Sequence, residues 1–435
     1  MKKSLIRVST FLLFGITLIT GTLFTGCSSD DSVPYTIPVE LVQIDTDLKI
    51  QSSYNVDRSR VVTVAPELAK FTNPSLEWKI VKANNIDKDS LLSTAQYLDF
   101  ISLKEGVYRI SVDIKDKVYK TNYEFDVQVA KEENAYKKFI TKVFDFMPSY
   151  GQFTNDLPKY VVGDTREKMI AKAEAAIAKE KAGMISLGGF GGYVVFGFDH
   201  TIANVPGKRD FRVLGNAFWA AANPNPDAPG RGGSCEPGII MVAYDKNKNG
   251  KPDDDEWYEI AGSEYYKKET IKDYGITYYR PDPKKAPVVD PKLSWATDLE
   301  YIRWEDNQGD KGWKPKNTFH RQSYFPEWYN GDKITFKGTR LANNSKDESG
   351  TGSYWVLYSY PWGYADNAPN NDDESAIDIN WAVDKTGNKV NLPGVDFIKV
   401  YTGINQESGW LGEVSTEVAG AVDLHIEGTS ITTRK

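Results

Sequence analysis

The chain has 435 residues, a formal net charge of −7 and two cysteines. Its length suffices for two or three hydrophobic cores, and so few cysteines mean that packing rather than disulfides must stabilise them. Basic residues do not cluster with interleaved aromatic residues, which argues against a nucleic-acid partner.

The first residues have the pattern of an export signal. Lys2, Lys3 and Arg7 are followed by FLLFGITLIT, an apolar stretch that is too short for a membrane-spanning helix. The stretch ends at LFTGC, which resembles the lipobox of bacterial lipoproteins. Residues 1–26 are therefore predicted to be removed and Cys27 to be lipidated. The alternative is an ordinary secretory signal beside a coincidental cysteine.

Removal of the signal takes away three positive charges and leaves a formal charge of −10. Once Cys27 is lipidated, Cys235 is the remaining cysteine and no disulfide can form within the chain. The following SSDDS resembles the acidic tag of Bacteroidetes lipoproteins that reach the outer face of the outer membrane. We therefore expect a cell-surface lipoprotein, held to the membrane by its lipid alone, with a short tether at residues 27–36.

Short strands are predicted over residues 37–132. In EGVYRISVDIKDKVYKTNYEFDVQVA, apolar and polar residues alternate with the period of a strand that buries one face, and residues 115–117 break the pattern as a hairpin turn. This arrangement resembles PKD-like and immunoglobulin-like sandwich domains, which usually act as spacers when they follow a lipid anchor.

One amphipathic helix is predicted from Asp164 to Lys181. Asp164 can cap it, Glu167 can complete a capping box, and Gly183 is placed to end it. The predicted apolar face consists of Met169, Ile170, Ala173, Ala176 and Ile177.

Residues 133–435 otherwise consist of short strands and turns, which favours a large β-sandwich or jelly-roll module, with a possible subdivision near residue 291. The predicted fold class is therefore mainly β: an N-terminal PKD-like or immunoglobulin-like sandwich, then this large module with its one helix. One later strand is predicted to bury a face formed by Ile377, Ile379, Trp381 and Val383.

The segment DKNKNGKPDDDE, residues 245–256, matches the twelve-position calcium loop, with Gly250 at the sharp turn and Glu256 at the closing position. Its flanks have the pattern of strands, so Ca²⁺ would act as a structural cofactor that staples a hairpin. The alternative is an acidic turn without a metal. The predicted ligands are Asp245, Asn247, Asn249, Lys251 through its carbonyl, Asp253 and Glu256.

Catalytic motifs are not evident. There is no GxSxG or HExxH motif, and the chain has three histidines. A glycosidase carboxylate pair stays open because its members need be close only in space. A second acidic loop, residues 364–378, lacks a ligand spacing and is predicted to be solvated.

Tryptophan is concentrated in one part of the chain, with ten of eleven after residue 215. About half of these lie in turn-rich segments that should face water, which suits stacking on a flat ligand. The predicted ligand-binding residues are Trp219, Trp313, Trp328, Trp362, Tyr364 and Trp410, with Tyr364 the weaker candidate. The alternative for each is half-buried packing between loops, and two or three of them are expected to contact the ligand.

From residue 150 to residue 425 the chain resembles a family of Bacteroidetes cell-surface lipoproteins with an N-terminal PKD-like domain. The resemblance rests on long segments such as ISLGGFGGYVVFGFDHTI, EPGIIMVAYDKNKNGKPDDDEWYEIAGSEY and VDFIKVYTGINQESGWLGEVSTEV. It implies an accessory protein of outer-membrane corrinoid (vitamin B12) uptake, which captures the ligand for a TonB-dependent transporter. It assigns no residue to that role.

Four functions stay open. The first, implied by the resemblance, is non-enzymatic capture of a corrinoid, whose broad ring suits stacking indoles. The second is calcium-dependent carbohydrate binding at the cell surface, the third is glycoside hydrolysis, and the fourth is a purely structural or adhesion role. A corrinoid is coloured and would co-purify visibly, whereas a glycan would not.

Overall fold

The computed structural model describes residues 40–180, 183–220 and 230–433, so the predicted lipidation site Cys27 lies outside the described residues. The fold is mainly β, with 42% strand and 7% helix, as the sequence predicts. Among the described residues, no helix combines the length and hydropathy that crossing a membrane requires. Buried apolar side chains form two large, separate clusters, one within residues 48–129 and the other within residues 140–421.

The first cluster lies between two sheets built from eight strands. These are β1 (Val42–Gln43), β2 (Ser53–Asp57), β3 (Val62–Val64), β4 (Ser75–Ala83), β5 (Ile86–Ser93), β6 (Leu98–Phe100), β7 (Gly106–Lys115) and β8 (Tyr119–Ala130). The larger sheet has the order β1-β8-β7-β4-β5, with β2 also paired to β8, and β3 pairs with β6. Trp78 of β4 is fully buried against the edge of Phe125 at 6.3 Å. The predicted alternation and hairpin turn between β7 and β8 are confirmed.

The remaining elements surround the second cluster. The strands are β9 (Lys142–Met147), β10 (Ile185–Ser186), β11 (Tyr193–Ala203), β12 (Phe211–Leu214), β13 (Phe218–Trp219), β14 (Gly232–Ser234), β15 (Gly238–Ala243), β16 (Trp257–Ile260), β17 (Ile271–Tyr279), β18 (Ala296–Asp306), β19 (Lys311–Asn317), β20 (Lys333–Arg340), β21 (Ser345–Asp347), β22 (Trp355–Tyr358), β23 (Ala376–Ile377), β24 (Ala382–Val383), β25 (Gly394–Thr402), β26 (Glu417–Val418) and β27 (Gly420–Asp423). The helices are α1 (Arg166–Ile177) and α2 (Leu424–Glu427), with 3-10 turns at Asp373–Ser375, Ile379–Trp381 and Gly409–Leu411.

Strand β25 runs through the middle of the six-stranded sheet of this second part, which is antiparallel with the order β24-β16-β15-β25-β11-β9. A four-stranded sheet, β19-β18-β17-β20, adds its apolar side chains to the same cluster. In that sheet β17 pairs with β18 and β20, so strand pairing crosses residue 291. The subdivision predicted near residue 291 therefore does not coincide with a break in this sheet.

Helix α1 differs from its prediction at both ends. Thr165, and not Asp164, is the N-cap, because its side chain accepts the third helical N–H. Asp164 instead pairs with Lys172. The helix ends at Ile177, before Gly183. The predicted apolar face is confirmed, with Met169, Ala173 and Ile177 buried.

The strand predicted through Trp381 is also corrected. Ile377 ends β23, a 3-10 turn at Ile379–Trp381 follows, and Val383 lies in β24. The turn forms because the Asp378 side chain accepts the N–H of Asn380 and so caps it. Trp381 is half-buried and packs against the core, in line with a structural role.

Truncation of Phe196 should destabilise the protein strongly. Phe196 is fully buried in β11, which pairs on both edges. We expect Phe196→Ala to lower the free energy of unfolding by about 3–5 kcal/mol, because the sheet can collapse only partly around the cavity. Val162, 90% exposed, is the control, and Val162→Ala should stay within about 0.5 kcal/mol in the same urea titration. Equal losses for both variants would contradict this account of the core.

Candidate functional site

Three carboxylates from distant parts of the chain meet beside the six-stranded sheet that contains β25. Glu236 lies between β14 and β15, Asp366 follows β22, and Glu417 begins β26. One oxygen of each lies within 4.8 Å of the other two. The backbone N–H of Glu236 donates to the Asp366 carbonyl at 2.8 Å, so a main-chain bond joins two of the three segments. We call these residues the carboxylate cluster.

Backbone groups hold Asp366 in place. Its Oδ1 accepts the N–H groups of Asn216 and Ala217 at 2.8 and 2.9 Å, and its Oδ2 accepts that of Glu417 at 3.0 Å. With the amide oriented so that its nitrogen faces the carboxylate, Asn216 Nδ2 lies 3.2 Å from both oxygens. Gly215 permits this approach, because a Cβ there would lie 2.2 Å from Asp366 Oδ1.

The electrostatics of the carboxylate cluster favour bound protons. Burial, together with the neighbouring charge of Glu417, raises the pKa of Asp366 to about 8. Burial likewise raises the pKa of Glu417 to about 7 and lifts the pKa of Glu236 well above its ordinary value. Because the three groups interact closely, protons are shared by the cluster near neutral pH and do not belong to one residue.

A cavity of about 260 Å³ opens onto Glu236 and Glu417. Glu413 also lines it, is 5% exposed, and accepts the backbone N–H of Gln152 at 2.7 Å. Burial raises the pKa of Glu413 well above its usual range. Thus one part of the wall is acidic, and the apolar part consists of Phe153, Leu157, Met184, Leu357, Leu411 and Val414.

Aromatic side chains lie in and beside the same cavity. Phe153 forms part of its wall. Trp410, directly before a wall residue, is 36% exposed and contacts Phe319 edge to face at 6.2 Å. Phe218 is 56% exposed and lies opposite Ser234 in the β13–β14 pair, so both side chains face the cavity side of that ribbon. The site therefore combines an acidic wall with apolar aromatic surfaces.

Two of the predicted ligand-binding aromatics are core residues. Trp328 is 6% exposed and Tyr364 is 1% exposed, and both belong to the larger hydrophobic cluster. The Tyr364 hydroxyl accepts the backbone N–H of Glu264 at 3.0 Å, which satisfies its polar end inside the fold. The expectation that Trp328 faces water is wrong, since its turn-rich segment folds back over the core, and Tyr364, a weaker ligand candidate, is buried in the same cluster.

The other predicted aromatics do not gather around one ligand position. Trp313 lines a separate cavity of about 400 Å³. The guanidinium of Arg231 covers the ring of Trp219 at 4.3 Å, and Trp362 packs against Trp381 with ring centroids 4.5 Å apart. None of the six predicted residues lines the acidic cavity, although Trp410 directly precedes the wall residue Leu411.

The acidic loop at residues 364–378 is only partly solvated, contrary to its prediction. Asp366 is 3% exposed and Asn367 is 1% exposed. Glu236 and Glu417 were not singled out from the sequence. The available signal was weak: each is an isolated acid between small or apolar residues, in SCEPGII and STEVAGA.

Cys235 precedes the carboxylate cluster by one residue and is fully buried. Burial is the main reason that the pKa of its thiol is raised. A neutral, inaccessible thiol is a poor nucleophile, which agrees with a passive role in the turn.

The predicted calcium loop forms the turn between β15 and β16, so its predicted strand flanks are confirmed. Gly250 has a φ of +71° and donates its N–H to Asp245 Oδ2 at 2.8 Å. Asp253 Oδ2 accepts the side-chain nitrogens of Asn247 and Asn249, both at 2.7 Å. The polar side chains of the loop thus already converge.

Comparison with known proteins yields distant structural likenesses. No family model matches the chain, and neither does any curated protein. The match to a PKD domain of a human protein covers 20% of this chain and 84% of the PKD-domain chain, with 15% identity and a TM-score of 0.17. A quinonprotein alcohol dehydrogenase-like protein from Bacteroides thetaiotaomicron matches 61% of this chain and 47% of its own, with 14% identity and a TM-score of 0.15. The match to a SusE-like protein covers 88% of this chain and 97% of the SusE-like chain, with 8% identity and a TM-score of 0.23. Such low scores carry no argument about function.

Protons bound by the carboxylate cluster should make stability depend on pH. The folded-state pKa values of Asp366 and Glu417 lie above the unfolded value near 4, so the folded state binds more protons. We therefore expect the melting temperature, measured with EDTA present, to fall as pH rises from about 5 to 8. Glu417→Gln should reduce this slope and stabilise the protein at pH 8 by roughly 1–3 kcal/mol.

The control is Glu133→Gln, which neutralises an exposed carboxylate and should leave the slope unchanged. Parallel slopes for the wild type and Glu417→Gln would show that the carboxylate cluster does not retain protons in the folded state.

Proposed function

We propose that the protein is a non-enzymatic binding protein that captures a sugar-like, polyhydroxylated ligand in the cavity of Glu236, Glu413 and Glu417. The observation that carries this proposal is the presence of buried carboxylates and aromatic surface at one cavity. The carboxylates suit the hydroxyl groups of a sugar, and the aromatic surface suits the apolar C–H face of its ring.

Carboxylates suit the hydroxyl groups of a sugar. An ionised carboxylate can accept the hydrogens of two neighbouring hydroxyls in strong charge-assisted bonds, and a protonated carboxyl donates one hydrogen bond and still accepts others, so either form pairs with sugar hydroxyls. Ser234, Ser408 and Ser415 also line the cavity and add hydroxyl groups that donate or accept. A polar wall of this kind fixes the orientation of a ligand that has many hydroxyls.

Aromatic side chains suit the apolar C–H face of a sugar ring. Phe153 offers such a surface inside the cavity, and the contact between Trp410 and Phe319 offers a larger one beside it. Burial of this surface by a ring stabilises the complex through the hydrophobic effect.

The size of the cavity favours a sugar over a corrinoid. About 260 Å³ lies just below the roughly 300–1,000 Å³ of pockets for drug-sized ligands, which suits one sugar ring and not a corrin macrocycle. Carbohydrate capture therefore takes precedence over corrinoid capture, which follows from the family resemblance alone.

In this proposal the protein acts at the cell surface. Lipidation of Cys27 anchors it in the outer membrane, and a TonB-dependent transporter receives the captured ligand. The support for this part is the lipobox-like LFTGC and the resemblance to surface lipoproteins.

A glycan array followed by calorimetry tests the proposed function. A glycan that binds the purified protein should lose affinity with Trp410→Ala by about 1–3 kcal/mol, or roughly 5- to 150-fold in Kd, because the apolar ring surface is removed. Trp313→Ala is the matched control: it deletes an equally exposed indole at another cavity and should leave Kd unchanged.

Three outcomes would overturn the proposal. The first is the absence of any bound glycan. The second is cyanocobalamin that elutes with the protein as a coloured complex whose affinity is insensitive to Trp410→Ala. The third is glycan cleavage that Glu236→Gln abolishes, which would assign glycoside hydrolysis instead.

A further inference from the structure

We propose that the turn between β15 and β16, residues 245–256, binds one Ca²⁺ ion. This site lies on a different turn from the sugar cavity and does not depend on the proposed function. It is the calcium loop predicted from the sequence, and its hydrogen bonds and the burial of Glu256 support the site independently of the sequence spacing.

The loop supplies oxygen ligands in the number that calcium requires. Side-chain oxygens come from positions one, three, five and nine, a carbonyl from position seven, and two carboxylate oxygens from position twelve. Calcium takes six to eight such oxygens, whereas zinc prefers nitrogen and sulfur. The residues are Asp245, Asn247, Asn249, Asp253, Lys251 and Glu256.

Backbone bonds already shape the loop around a central point. The N–H of Asn249 donates to Asp245 Oδ1 at 3.0 Å and to Asn247 Oδ1 at 2.9 Å. The N–H of Lys251 donates to Asn249 Oδ1 at 2.7 Å. These bonds orient the side chains before any ion arrives, which lowers the cost of ordering them.

Glu256 gives the independent indication of a cation. It is 4% exposed, and its Oε1 accepts the N–H of Lys246 at 2.9 Å at the start of the loop. Its Oε2 is buried and has no hydrogen-bond partner among the residues that the structure describes. Asn249 joins the other two carboxylates of the loop, since its N–H donates to Asp245 Oδ1 at 3.0 Å and its Nδ2 to Asp253 Oδ2 at 2.7 Å. A cation between them removes both the repulsion and the unsatisfied oxygen.

Lys246 and Lys251 of the loop do not supply this cation. Lys246 turns away, and its Nζ donates to the Tyr258 hydroxyl at 3.1 Å. The side chain of Lys251 is exposed, and its carbonyl is the group that would reach the ion.

Bound calcium would fix the start of β16. The N–H of Asp245 donates to Asp396 Oδ2 of β25 at 2.9 Å, so the loop is tied to the central sheet at one end. At the other end Glu256 precedes Trp257, which lines a cavity of about 430 Å³. An ion that joins the two ends therefore restrains both the hairpin and that indole.

Terbium luminescence tests the site, because Tb³⁺ occupies oxygen-ligated calcium sites and is excited by a nearby indole such as Trp257. The EDTA-treated protein should give saturable Tb³⁺ emission at one ion per chain, reversed by Ca²⁺. Calcium should also raise the melting temperature relative to EDTA. Glu256→Gln should weaken Tb³⁺ binding at least 10-fold, and so should Asn247→Ala, whose exposed position leaves folding intact.

Asp255→Asn is the matched control, since it removes the same charge from an exposed, non-ligating position of the loop. It should leave Tb³⁺ affinity within about 2-fold, as expected for one exposed charge in high dielectric. Equal effects of Asp255→Asn and Asn247→Ala would overturn the proposal. So would emission that Glu417→Gln abolishes, because the ion would then occupy the carboxylate cluster.

Discussion

The acidic cavity depends on the pairing of β25 with β15. Thr402, the last residue of β25, lies opposite Gly238, the first residue of β15, and this register sets Glu236 just beyond the sheet. The Thr402 hydroxyl also accepts the N–H of Thr416 at 3.2 Å, so the segment that carries Glu417 is held at the same strand end. Two of the three clustered carboxylates are thus positioned by one strand end, and β11 on the other edge of β25 keeps that strand fixed.

This arrangement buries like charges, which costs free energy, and the fold offsets that cost in two ways. Three backbone N–H groups stabilise the ionised form of Asp366, and a shared proton removes part of the repulsion between Asp366 and Glu417. A ligand whose hydroxyl groups donate hydrogen bonds to Glu236 and Glu417 reduces the repulsion between the carboxylates, as the shared proton does. Proton binding and ligand binding at this cavity are therefore linked.

Features set by local sequence were predictable, whereas features set by long-range contacts were not. The helix face around Met169, the β7–β8 hairpin and the strand-flanked turn at residues 245–256 each follow from residues close together in sequence. The carboxylate cluster joins residues 236, 366 and 417, and one sequence contains no sign that those segments meet. The prediction that Trp328 faces water failed for the same reason. A turn-rich composition is a property of the segment itself and does not show which other segments pack over it.

The distribution of aromatic residues bears on how the cavity would select a ligand. A large flat ring needs several indole faces within its own span, but Arg231 covers one face of Trp219, and Trp362 packs against Trp381. The aromatic side chains in or near the cavity are Phe153 in its wall, Phe218 opposite Ser234, and the Phe319–Trp410 pair next to Leu411 in the chain. Stacking on such a surface discriminates poorly between sugars, because every pyranose offers a C–H face. Sites that hydrogen-bond a hydroxyl can reject ligands that lack it by roughly 10⁴–10⁵. The choice of sugar would therefore rest on how the buried carboxylates meet the hydroxyl groups, with the aromatic residues contributing affinity.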